Sequence, residues 1–169
     1  MSTGPRVIVG VDGSYGSLEA LRVAVVEARR RRCPLVVAHA LENAAGAEGW
    51  LVAESAGYQV IEQSIAEALG SPPTDLDVVQ SVVEFVSPGR ALVYLSNDPG
   101  DLIVVGAKVI RRFGRLRRSG ADTYCVRHAA CPVLVVPPPA LLRLVRTSRR
   151  ERRDWQRGIT DLASGAGSG

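Results

Sequence analysis

The sequence lacks any apolar run near the roughly 18–20 residues that a membrane span requires, which excludes an integral helical membrane protein. Cysteine is scarce: Cys33, Cys125 and Cys131 are an odd number without a C-x-x-C pair, which argues against a disulfide framework. Aromatic residues make up 5% of the chain, and Trp155 is the only one beyond residue 140. A stacking platform for nucleic acid bases has little to work with there. Lysine is nearly absent, since 20 of the 21 basic residues are arginine and Lys108 is the exception. Met1–Arg6 leads directly into a strand-like run with no secretory leader visible, so a cytoplasmic setting is expected.

Familiar phosphate and nucleophile motifs are missing as well. There is no G-x-x-x-x-G-K-[ST] loop, no G-x-G-x-x-G after a strand, and no G-x-S-x-G elbow. The Ser-Gly-Gly-x-Asp-Ser turn of adenylating synthetases is replaced by Val11-Asp-Gly-Ser14. No general base, metal cluster or nucleophile stands out, so no catalytic residue is assigned and an enzyme is the least favoured reading.

What remains is a chain of 169 residues, 46% hydrophobic, long enough for one domain with a proper core. Its net charge of +4 is unevenly placed. Residues 1–140 hold 14 basic and 14 acidic side chains, while residues 141–169 hold seven arginines against three acids. The charge therefore belongs to a tail, and the Gly/Ser/Ala end after Ala163 is low in complexity. The expected division is a folded domain over 1–139 and an arginine-rich, flexible tail over 140–169. A solubilising or weakly associating tail is the expected reading, with an acidic protein partner as the alternative and nucleic acid disfavoured.

Within the body, strand and helix signals alternate. Apolar runs at Arg6–Asp12, Leu35–Leu41, Leu76–Phe85, Leu102–Gly106 and Pro132–Val136 read as strands. Between them, Leu18, Leu21, Val25 and Ala28 share one helical face, and Tyr58, Ile61, Ile65 and Leu69 share another. Glu42–Gly49 reads as a loop. Ser87-Pro88 starts a short helix with a capping hydroxyl, and a last helix is expected to run to about Ala130. Mostly apolar strands separated by helices imply an α/β fold with a parallel sheet covered on both faces.

Ligands of such sheets gather at the carboxyl ends of the strands. That rule selects Asp12, Gly13 and Ser14, then Ala40 and Leu41, then Gly106 onward. Asp12 either hydrogen-bonds a base or sugar or caps its own turn. Gly106 allows a backbone to pass close to a ligand. Lys108, Arg111 and Arg112 head an arginine-rich loop through Arg118, which either clamps phosphate with its forked donors or is simply solvated. Cys125-x-x-His128-x-x-Cys131 would fan over about a third of a helix circumference, with Cys131 against Pro132. Buried thiols and a helix-end histidine are the expected reading, with no metal.

Four segments, taken in order, resemble the universal stress protein family: Val7–Ser14, Leu35–Ala40, Asp101–Gly106 and Val126–Val136. The resemblance covers roughly residues 5–138. It implies a Rossmann-like (adenine nucleotide alpha hydrolase-like) sandwich with a five-stranded parallel sheet in order 3-2-1-4-5. It also implies a homodimer paired through the edge strand Val133–Val136. Many members of that family bind ATP or another adenine nucleotide through G-x-x-G, nine residues, then G-[ST]. Here Asp12, Ala40, Val105 and Gly106 match the family's adenosine-side positions and Gly106 matches the first glycine, but Val109 stands at the second and Ser119-Gly120 reverses the closing pair. One extra loop residue aligns Gly120 but puts Ala121 in the hydroxyl position. A branched residue resists the positive φ that glycine allows, so the phosphate cradle is degenerate. The expectation is a regulatory binding module that does not bind ATP in the usual family manner. The alternative is a stress protein that binds ATP, AMP or cyclic AMP through Asp12, Gly106 and the loop arginines.

Overall fold

Short β-branched runs become strands, and the longer 3.6-periodic stretches become the helices that cover them. The computed structural model describes residues 4–41, 46–107 and 120–139. In chain order the elements are β1 (Val7–Gly10), α1 (Tyr15–Arg31), β2 (Leu35–Leu41), α2 (Gly46–Leu69), β3 (Val78–Glu84), α3 (Pro88–Leu95), β4 (Leu102–Gly106), α4 (Ala121–His128) and β5 (Val133–Val136). All described residues except Pro139 fall within the unit Met1–Pro138. The tail expected from residue 140 lies outside the described residues.

The five strands form one parallel sheet in the order β3-β2-β1-β4-β5. Register sets two core layers. Val7, Val9, Leu35, Val37, Leu102 and Val104 face one side, where they pack with Leu21, Val25 and Ala28 of α1 and Ile61 and Ile65 of α2. Ile8, Val36, Ala38, Ile103 and Val105 face the other side, with Leu92 of α3 and Cys125 of α4. Both faces of the central strands are thus covered, which is why those strands are apolar nearly throughout, His39 of β2 excepted, instead of alternating.

Helix α1 shows how the sequence sets its own limits. The Ser14 hydroxyl accepts the Ser17 backbone N–H at 3.3 Å and caps the first turn. At the other end Arg32 takes the left-handed conformation, φ 53°, with its N–H and that of Cys33 donating to the Arg29 and Ala28 carbonyls. Arg29 reaches Asp75 through two bonds of 2.7 and 2.9 Å. Asp75 therefore stays below the usual carboxylate range, because the guanidinium hydrogen-bonds its charged form.

At the amino ends of β1 and β4, Asp101 is fully buried. It accepts the Arg6 backbone N–H at 2.8 Å and the Arg6 guanidinium at 3.0 Å. Arg6 also donates to the Leu95 carbonyl and the Asn97 side chain, at 2.8 and 2.9 Å.

Several boundaries differ from the sequence expectation. Helix α2 begins at Gly46, inside the stretch read as loop. Tyr58 was expected on the buried face of α2 but is exposed, and Gly57 takes its place against the sheet. A Cβ on Gly57 would stand 2.8 Å from Val82 Cγ1, so the helix lies too close to β3 for a side chain there. Ser87 precedes Pro88 as expected, but its hydroxyl makes no cap bond; its carbonyl accepts from Arg90 and Ala91 instead. Helix α4 stops at His128, with Ala129 as its cap.

Candidate functional site

The turn after β1 is built from its own side chains. Asp12 Oδ1 accepts the Ser14 N–H at 3.0 Å, a short Asx turn that fits the φ of +73° at Gly13. Ser17, nearly buried at the start of α1, donates its hydroxyl to the Ser14 carbonyl at 2.9 Å. The same oxygen accepts the Asp12 N–H at 3.3 Å. On the strand side, Val11 still donates to the Ala38 carbonyl at 2.9 Å, and the Val11 carbonyl meets His39 Nδ1 at 2.8 Å.

The end of β4 comes directly beneath this turn. A Cβ on Gly106 would fall on the Gly16 carbonyl and stand 3.0 Å from the Ser17 nitrogen. The backbone passing close to Gly106 is the first turn of α1. Gly16 in turn faces the Ala107 carbonyl, 3.6 Å from where its own Cβ would lie. Asp12, Gly13, Gly106 and Ala107 thus share one end of the sheet, with Ala40 beside them near the end of β2.

The other candidates divide. The Val105 side chain is buried in the second core layer with Ile8 and Leu92, which leaves its backbone as the part at the site. Gly120 is the N-cap of α4, makes no side-chain cap bond, and is followed by Ala121 as the first helical residue. Lys108, Val109, Arg111, Arg112 and Ser119 lie outside the described residues.

Cys125 and Cys131 are both buried in the second core layer. Burial pushes the Cys125 thiol up to about 12, and nearby Cys131 and Asp122 add to the effect. His128 is exposed and its ring stacks on Tyr124 at 4.3 Å between centroids. Among the described residues no group of three or more His, Cys, Asp or Glu could hold a metal ion. None of their helices is long and apolar enough to cross a membrane.

Two members of this site had no motif to announce them. Ser17 is one of many serines near a helix start, and His39 is a single polar residue in an apolar strand. The signal for His39 was that very isolation, since a polar group in a buried strand needs a partner.

Residues 5–137 match the model of the universal stress protein family. The chain belongs to this family. A universal stress protein of Mycobacterium tuberculosis (strain H37Rv) is 29% identical over 139 residues, which cover 77% of this chain and 47% of that protein. The chain therefore spans about half the length of the curated relatives it matches. Among solved structures, a universal stress protein in complex with cAMP is 26% identical, with a TM-score of 0.57 over 82% of this chain and 100% of that one. The UspA protein of Lactobacillus plantarum shares the fold at 22% identity, with a TM-score of 0.60 over 80% of this chain and 99% of its own.

Proposed function

We propose that this chain is a non-catalytic regulatory module that takes an adenine mononucleotide such as cyclic AMP. It holds the adenosine half at the ends of β1, β2 and β4 and does not grip a triphosphate in the usual family manner. The observation that carries this reading is the meeting of the Asp12 turn with Gly106 at one end of the sheet. The 26% identical relative solved with cAMP supports the ligand class. Against a triphosphate stand Val109 in place of the second glycine and the reversed Ser119-Gly120 pair.

Melting curves with cyclic AMP, AMP, ADP and ATP at millimolar concentration test the reading. Cyclic AMP and AMP raise the melting temperature, and ATP raises it no further than AMP does. No shift with any of them overturns the reading, and so does a shift with ATP well above the rest. Combining Val109→Gly, Ser119→Gly and Gly120→Ser should then raise the response to ATP.

A homodimer through β5 belongs to the same proposal. Among the described residues β5 pairs only with β4, and Leu134 and Val135 are 36% and 37% exposed on that edge. Val135→Lys should shift the protein to monomer in analytical ultracentrifugation. Residues 140–169 are proposed as an appendage for an acidic protein partner, so their deletion leaves the melting temperature nearly unchanged. A cytoplasmic setting fits the three free thiols.

A further inference from the structure

We propose that His39 is a positioning residue for the nucleotide site, acting through the peptide that joins Val11 to Asp12. This rests on the reading of the Asp12 turn as the adenosine end of that site. The peptide is held from both sides by side chains of different elements. Its carbonyl, on Val11, takes a hydrogen bond from His39 Nδ1 at 2.8 Å. Its N–H, on Asp12, donates to Ser17 Oγ at 3.3 Å. A carbonyl can only accept, so Nδ1 carries the hydrogen and the neutral ring is the Nδ1–H tautomer.

The ring is fixed from above and from the side. His39 pairs in register with Val82 of β3. Helix α2 reaches both residues at Gly57, whose missing Cβ would stand 3.3 Å from His39 Cδ2 and 2.8 Å from Val82 Cγ1. A Cβ at position 57 would clash with Val82 and press on the edge of the imidazole. The absence of one on α2 therefore lets a β2 residue set the exit angle of β1. Val11 is also where the ladder ends: its N–H still bonds to Ala38, and the chain then turns away. Among the described residues no strand N–H donates to that carbonyl, and the imidazole supplies the partner. The fixed peptide plane sets where the Asp12 turn starts, and the Ser14 N–H holds the carboxylate within that turn at 3.0 Å.

The test compares His39→Leu, which keeps bulk and removes the donor, with His39→Asn, which keeps a donor near the Nδ1 position. Ile65→Ala, in the core on the same face of the sheet, is the control for loss of stability alone. In the ligand-free protein, amide exchange at Asp12 and Gly13 should rise about threefold to tenfold in the leucine variant, the equivalent of one lost hydrogen bond. The asparagine variant should return it to near the wild-type rate, and Ile65→Ala should leave it unchanged. Cyclic AMP affinity measured by calorimetry should follow the same order. Unchanged exchange in the leucine variant, or an equal rise in Ile65→Ala, overturns the proposal. If wild-type protein takes up no cyclic AMP, the nucleotide reading fails while the exchange data still decide the role of His39. Should the leucine variant not fold, the imidazole ¹⁵N spectrum of the wild type decides: an Nε2–H tautomer overturns the proposal.

Discussion

Asp101 accepts both the backbone N–H and the guanidinium of Arg6, a residue 95 positions away, with no exposure of its own. The pair joins the entry of β1 to the entry of β4, at the end of the sheet opposite the Asp12 turn. Arg6 is 22% exposed at its side chain, so water still reaches the cation while the carboxylate is dry. The anion depends on its donors, which include the Asp98 N–H at 3.3 Å. Replacing Asp101 with alanine strands those donors and should cost about 2–4 kcal/mol, as for breaking a buried pair. Urea unfolding checks this, with Asp101→Asn expected to lose less because it keeps an acceptor.

Arg32 holds a left-handed conformation, φ 53°, at a position where glycine is the usual choice. Its cap bonds come from the backbone, so the side chain is not needed for them. Arg32→Gly should therefore stabilise the protein by about 0.5–1 kcal/mol. The melting temperature measures it, and a decrease would show that the arginine side chain contributes a contact of its own.

The Ser64 hydroxyl is buried on the inner face of α2 and has no hydrogen-bond partner among the described residues. Ser64→Ala removes an unsatisfied polar group and improves helix propensity. It should be neutral or stabilising by up to about 1 kcal/mol in urea unfolding.

Cys125 gives the molecule an alkaline weakness. Its thiol is raised from an ordinary 9.0 to about 12 in the fold, chiefly by burial. Between those values the unfolded chain has lost the proton that the folded chain keeps. The native state binds more protons there, so stability falls as pH rises through that window and is complete below it. Urea midpoints should drop more steeply above pH 9 in wild type than in Cys125→Ala. Thiol reagents at pH 8 should leave Cys125 unmodified until the protein unfolds.

The sheet was readable because its central strands are covered on both faces, so Leu102–Gly106 appears as an unbroken apolar run and Leu35–Leu41 as one interrupted only at His39. Their order was not readable from periodicity, which says nothing about neighbours; it came with the family resemblance and agrees with the ladder found. Tyr58 misled because an aromatic at helical spacing looks like core, whereas the contact needed the residue without a side chain, Gly57. Asp101 and His39 passed as unremarkable members of strand-like motifs. Their partners, Arg6 and the Val11 carbonyl, are 95 and 28 positions distant, and no local pattern encodes such pairs.

The contact of Gly106 with Gly16 and Ser17 has a mechanical consequence. It ties the end of β4 to the core, because any side chain at position 106 would press α1 away from the sheet. Beyond Ala107 that contact imposes nothing, and the sequence there carries Val109 and five arginines up to Arg118. A single hydrogen atom in the place of a side chain thus acts as the hinge pin between strand and helix, and a change at position 106 should be felt in the fold before it is felt in any ligand.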